Sequence, residues 1–488
     1  MRKVVFGCFV LAALSLLLPA RGLHFDSWAW VVWGRQIPLL ELDTLGGPSW
    51  KPFPVIFTTV FAPLSKLDDG IPAMLWLVVA RAGGFLSIAM AYRLASRLVE
   101  EHRPSVRTDR SRPSTAGSED VGGPERWIAL CAGVTAGAVM CITPRWGLLI
   151  AQGYTEPLAA GLLLWGIERH LDGHRGHAFF LCFLVALNRP EFWPFLGAYA
   201  VFLLLKEPRH RALVAGCLVL LPALWLVPEW IGSGDPFSAG KQARSEPAWS
   251  LSHQDHPWLA ALHRSAGLML HPLKLCALFG LVWGIHRRNW AIIAMGGAVA
   301  FWLVLVSIMT QGGFSGNPRY FLLAVGLTTV LAGIGVARLV AIASTTRARV
   351  AITALLVLVI APFAYLRAPH AGRELSFATG NATLHHQFED AVRKAGGPAA
   401  VVEHGKPFVN RGFVTHMAWE LKLPIRAIQR KGAPRRVVFT VRYRHSGRPP
   451  TIAVGSHVQT LTEVGPWRVL EVNGPPPDGI AASVAAPR

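Results

Sequence analysis

The sequence predicts a mainly α, polytopic transmembrane bundle of about 11 spans with a small C-terminal α/β domain on the extracytoplasmic side. Three observations predict it. Of 488 residues, 52% are hydrophobic and only 16% are charged, whereas soluble domains carry about 25% charged residues. Apolar runs of spanning length recur from Val4 to Leu366. Polar sequence then continues to Arg488, dividing the chain into residues 1–366 and 367–488.

Spans are expected near 4–20, 71–95, 127–143, 148–168, 178–188, 192–205, 212–230, 267–285, 290–309, 319–337 and 350–366. The first has Arg2-Lys3 before its apolar run, as a signal peptide would. Leu-Pro-Ala-Arg-Gly after it offers no small-x-small cleavage site, so it is read as an uncleaved helix. Residues 178–205 are one long helix or two short ones bent at Asn188-Arg189-Pro190-Glu191, and charge decides between them. With two, Arg2-Lys3 and the connectors 97–126, 169–177, 206–211, 286–289 and 338–349 share a side. They hold 18 Lys and Arg in about 64 residues, against nine in about 103 on the opposite side. The positive-inside rule therefore puts the N-terminus in and the C-terminus out, in a cell (inner or plasma) membrane. Pro190 also suits a break better than a helix interior.

The formal net charge is +20. Much of it lies in short connectors between apolar segments, a pattern that sets topology, so nucleic acid is not an expected partner. Cys8, Cys131, Cys141, Cys182, Cys217 and Cys276 all fall in apolar segments without CxxC spacing. They read as small core residues. The tail carries 17 basic and 8 acidic residues, suiting an acidic polymer or anionic headgroups. Its pattern is helical over 383–395 and 412–422, and β-rich over 399–403, 436–443 and 467–473.

On the outer side, loop 21–70 begins Asp26-Ser-Trp-Ala-Trp-Val-Val-Trp-Gly-Arg35. Trp28, Trp30 and Trp33 suggest a short helix lying in the membrane interface. Phe53 to Leu64, too short to span, is expected along the same surface. Polar groups that collect here are His24, Asp26, Lys51, Arg145, Glu156, Arg189, Glu191, Asp235 and Arg319, with Tyr320 beside the last. Each has a plain structural explanation: Asp26 as a helix N-cap, Lys51 as a snorkelling lysine, Arg189 with Glu191 as an ion pair, Arg319 as a helix anchor. Glu156 is placed about 12 Å into its span, a depth at which an ionisable group points to function. Together, one carboxylate and three separated cations suit a polyprenyl phosphate: the cations neutralise the departing phosphate while Asp26 takes a proton from an acceptor hydroxyl. The spacing in His253-Gln-Asp255-His256 matches no strong metal pattern. A Gly-rich nucleotide loop is not evident.

These features resemble the GT-C superfamily of bacterial polytopic membrane glycosyltransferases, a group including aminoarabinose transferases and protein mannosyltransferases. The resemblance covers residues 1–366. It implies that Asp26 occupies the first-loop acidic position as general base. Lys51-Pro52 is similar to the Lys-Pro pair that binds lipid phosphate in aminoarabinose-transferase-like members. Arg319 resembles the arginine that helps hold that phosphate. His24, Arg145, Glu156, Arg189, Glu191, Asp235 and Tyr320 are then candidates for the sugar or acceptor pocket. Many members carry an acid in the next outside loop, where Thr143-Pro-Arg-Trp-Gly147 has none. No cofactor is expected, and a divalent metal is not favoured. The implied activity is transfer of a hexosyl or pentosyl group from a polyprenyl-phosphate-linked sugar to a glycan, lipid or protein acceptor in the cell envelope, with inversion. Two readings compete: a transporter or flippase for a lipid-linked saccharide, and a non-catalytic envelope assembly protein. Charges gathered mainly on the outer side favour surface chemistry over a transport path.

Overall fold

The computed structural model describes residues 1–100, 123–245, 250–428, 433–441, 452 and 455–475. Its helices run α1 (Arg2–Leu14), α2 (Phe25–Gln36), α3 (Pro52–Phe61), α4 (Ile71–Glu100), α5 (Gly123–Ile142), α6 (Trp146–Ala151), α7 (Glu156–Leu171) and α8 (Arg175–Asn188). There follow α9 (Trp193–Lys206), α10 (Arg211–Ser233), α11 (Ser238–Gln242), α12 (Pro257–Ala266), α13 (His271–His286), α14 (Trp290–Gln311) and α15 (Leu322–Ala341). α16 (Thr346–Lys394) leads into the tail, which adds α17 (Gly397–Glu403), β1 (Lys406–Val409), α18 (Val414–Glu420), β2 (Arg435–Val441), β3 (His457–Val464) and β4 (Trp467–Asn473).

Among the described residues, five helical segments are long and apolar enough to cross a membrane: 71–100, 208–233, 290–311, 318–341 and 346–394. The pair α12 and α13, bent by 95°, makes a sixth if it is one span, and 126–142 and 175–188 are shorter apolar helices. Burial ranks them by position. The apolar window of the 318–341 segment is 89% buried, so α15 is the central post, packed by α13, α5, α4, α7 and α14. The apolar window of α16 has no buried residue, and Leu355, Val357, Leu358 and Phe363 point outward. A bare leucine and valine face at spanning length is a lipid-facing surface. Where α13 meets α15, a Cβ on Gly335 would run into the Cys276 carbonyl and Gly280 N. Small residues let these backbones touch, as tight packing between membrane helices requires.

The expected break at 188–191 is present: Arg189 caps α8 in an extended conformation and Pro190–Phe192 form a 3-10 turn before α9. Several expectations are corrected. The span near 148–168 is not one helix. Gly153, at φ +73°, turns the chain between α6 and α7, so Glu156 opens α7 instead of lying two turns inside a helix. The freed carbonyls of the turn are satisfied: Ser27 Oγ donates to Gln152 and Gly153 at 3.0 Å, and Trp76 Nε1 donates to Gly153 at 3.0 Å. α2 does not lie in the lipid interface either. It is buried almost throughout, with Trp30 against Trp76, Trp33 against Trp50, and Trp28 stacked on His416 of the tail. All six cysteines are free, but Cys141 is exposed and Cys131 and Cys182 are only partly buried.

In the tail, α16 continues through residue 366 without a break and reaches Lys394. The run 399–403 is helical and not β: Gly396 and Gly397 take positive φ and Pro398 sits in the first turn of α17. The sheet has the order β1-β2-β4-β3, with β1 parallel to β2 and the other pairs antiparallel. The expected strands at 436–443 and 467–473 are β2 and β4, and residues 442–443 lie outside the described residues. The two edge strands had not been expected. β3 is largely exposed and β1 has four residues with Pro407 among them, so neither shows a clear alternation.

Candidate active site

Five helix ends and turns converge at one end of the bundle. Asp26 lies in the first turn of α2, where His24, not Asp26, is the N-cap residue. Lys51 is the residue before α3, Arg189 the end of α8, Glu156 the first residue of α7, and Arg319 part of the 3-10 turn Pro318–Phe321. Buried Arg81 of α4 holds the approach to α2. It donates to Ser15 O at 2.8 Å, to Ala151 O at 3.1 Å and to Ala20 O, tying the end of the first helix to that of α6.

Arg319 Nη1 donates to Asp26 Oδ2 at 2.7 Å. The same guanidinium lies 3.8 Å from Glu156 Oε1, which also meets Lys51 Nζ at 3.7 Å and bonds Arg189. Arg189 in turn lies 3.8 Å from Glu191. Fully buried Glu156 is thus the hub that gathers Lys51, Arg189 and Arg319, and Asp26 joins through Arg319. Aromatic faces complete the frame: Arg189 lies 4.6 Å from the Tyr320 ring centre, Arg319 5.1 Å from Tyr154, and Lys51 5.3 Å from Trp30. His24 bonds the Tyr154 hydroxyl at 2.7 Å. Burial opposes ionisation of Asp26, but Arg319 and Lys51 outweigh it and hold the carboxyl below its usual value. Burial pushes the Lys51 ammonium down to about 8, with Arg189 and Arg319 adding to the shift and Glu156 opposing it.

Beside this network opens a cavity of about 370 Å3, lined by Asp26, Arg145, Arg264, Arg319, Tyr320 and Arg411 among others. Among the described residues the lining holds four arginines and one carboxylate, a field that draws an anion. Of the residues singled out in the sequence, Asp26, Arg145, Arg319 and Tyr320 line the cavity. Lys51, Glu156, Arg189 and Glu191 form the buried network attached to it, and His24 braces it through Tyr154. Asp235 is not brought in: it folds back on Ser233 and Phe237 and bonds Lys241 at 2.6 Å.

No family profile and no curated protein matches the chain. In three dimensions it aligns with ArnT from Cupriavidus metallidurans bound to undecaprenyl phosphate, with a TM-score of 0.54 and 13% identity over 100% of this chain and 98% of that one. The apo state of that ArnT gives 0.51 and 14%, over 98% of each chain. The fold is GT-C.

Within this fold the loop after α1 supplies Asp26 and Lys51, and the turn before α15 supplies Arg319. Two cavity arginines escaped the sequence reading. Arg264 lies in the last turn of α12, and Arg411 comes from the tail across the chain. Both are single cations in polar sequence, with no periodicity or motif to mark them. Arg145 takes a left-handed conformation at φ +64°, and its backbone N–H donates to Glu374 of α16 at 2.9 Å.

Proposed function

We propose that this chain is a membrane glycosyltransferase that moves a hexosyl or pentosyl group from a polyprenyl-phosphate donor to an extracytoplasmic acceptor, inverting the anomeric carbon. The observation that carries the reading is Asp26 held 2.7 Å from Arg319 on the wall of a cationic cavity, with Lys51 and Arg189 gathered behind it on Glu156. The GT-C fold and a structural neighbour that binds undecaprenyl phosphate support it.

In the proposed step the acceptor hydroxyl oxygen attacks the anomeric carbon and its proton passes to Asp26. The bond from that carbon to the phosphate oxygen breaks, and the electron pair leaves on polyprenyl phosphate. Asp26 suits the role because its cationic neighbours keep it ionised and ready to accept. Arg319 and Lys51 take the charge that grows on the phosphate, and Tyr320 and Arg145 border the sugar or acceptor, with Arg189 behind the Tyr320 ring. Glu156 acts as a positioning residue. The arginine-rich lining supports transfer without a divalent metal. The reading keeps eleven spans with the N-terminus in the cytoplasm, residues 1–366 as the catalytic domain and 367–488 as an extracytoplasmic domain.

Asp26→Asn is the decisive variant. Transfer from a radiolabelled polyprenyl-phosphate sugar is expected to fall by about 10²–10⁴-fold, while the purified protein remains folded. Turnover within a few-fold of wild type would remove Asp26 as the base and the mechanism with it.

A further inference from the structure

The tail carries a second cluster of ionisable groups, outside the cavity. Glu389 on α16 and Glu420 at the end of α18 face fully buried His416 of α18. His416 Nε2 lies 3.4 Å from Glu389 Oε1 and 3.5 Å from Glu420 Oε1, and makes no hydrogen bond. One ligand atom from each of the three residues fits within 4.8 Å of the others. Tetrahedral zinc with bonds near 2.0–2.2 Å sets its ligand atoms about 3.4 Å apart. Two of the three separations here match that value, although each is long for a hydrogen bond.

The surroundings fit the same chemistry. His416 Nδ1 lies 2.7 Å from His385 Nδ1, so one ring donates to the other. A proton carried by His416 there leaves its Nε2 as a bare lone pair between two carboxylates, which a cation relieves. Metal-bound histidines characteristically use their other ring nitrogen in such a bond. His386 Nδ1, 3.3 Å from Glu389 Oε2, supports the outer oxygen of one carboxylate. The glutamates are only partly buried, leaving a route in for the ion and room for water.

We propose that His416, Glu389 and Glu420 bind a divalent cation of the zinc class, with water at the fourth position. The ion joins α16 to α18 directly beneath Trp28, whose ring stacks on His416 at 4.2 Å, and so fastens the tail to the helix that carries Asp26.

The test uses the full-length protein in detergent, stripped with EDTA and then given zinc chloride. About one zinc per chain is expected to remain after gel filtration from about 10 µM zinc, with melting raised by a few degrees. Glu389→Gln/Glu420→Gln is expected to lose both effects and to melt like the chelated wild type. X-ray absorption on the zinc-loaded wild type is expected to show only nitrogen and oxygen ligands near 2.0–2.2 Å. Wild-type protein that keeps almost no zinc overturns the proposal, whether or not transfer is active. So does a double variant that binds as much zinc as wild type, or a sulfur ligand in the spectrum.

Discussion

Around Glu156 the charges are coupled, so removing one leaves its partners buried without compensation. Glu156→Ala takes the shared carboxylate from Lys51 and Arg189 in a buried site, while Arg319 keeps Asp26, and breaking a buried pair in this way costs about 3–5 kcal/mol. A marked fall in melting temperature or in yield of folded protein is expected. Lys51 sets a different kind of limit. Its ammonium, held at about 8, is charged at neutral pH and loses its proton as the pH rises through that value. Donor capture by the free protein, read as kcat/KM, should therefore decline above about pH 8. Lys51→Arg, whose guanidinium stays charged, should flatten that limb. Asp26 lies below the usual carboxylate value, so no matching loss is expected between pH 7 and about 5. A profile that is flat to pH 10 in the wild type would mean that Lys51 does not meet the phosphate.

Helix contacts make a sharper prediction than helix composition does. Gly335→Val drives a side chain into the Cys276 carbonyl, and overpacking of this kind costs about 1–3 kcal/mol or more. Gly297→Ala on α14 meets nothing within 4 Å and should be neutral or stabilising by up to about 1 kcal/mol. Thermal melting of the two variants tests whether the α13–α15 contact is as close as described. Most elements of the bundle were legible in the sequence because lipid demands long apolar runs and connectors carry the charge bias. The break at Pro190 was legible because proline forbids the helix. The break at Gly153 was not, since a single glycine is tolerated inside membrane helices, and the depth of Glu156 was misjudged with it. Trp28, Trp30 and Trp33 misled for a related reason: indole rings favour a membrane interface and a protein interior alike, and only the tail packing on α2 decides between them. Asp26, Lys51 and Arg319 could be chosen by residue type and side of the membrane. Arg264 and Arg411 reach the cavity only through tertiary folding.

Taken as a whole, the molecule holds α2 between two bodies. The bundle grips it from below through Ser27 and Thr58, while the tail grips it from above. Arg35 donates to the Trp419 and Ala418 carbonyls at 2.9 and 3.2 Å, and Thr415 donates to Phe25 O at 2.8 Å. The proposed orientation is open to a direct check. A cysteine in place of exposed Lys394, in a variant whose own cysteines are replaced, should react with an impermeant maleimide from outside intact cells. Labelling only after the cytoplasm is opened would reverse the orientation. α16 links the two bodies as one continuous helix of 49 residues. At 1.5 Å per residue it is about 74 Å long, more than twice the hydrocarbon thickness of about 30 Å. Such a rod is a lever. A change of 10° in its tilt, of the size that bilayers of different thickness impose, sweeps a far end about 40 Å beyond the lipid through roughly 7 Å. The bonds that fasten the tail to α2 oppose that sweep, and so keep Arg411 in the cavity lining.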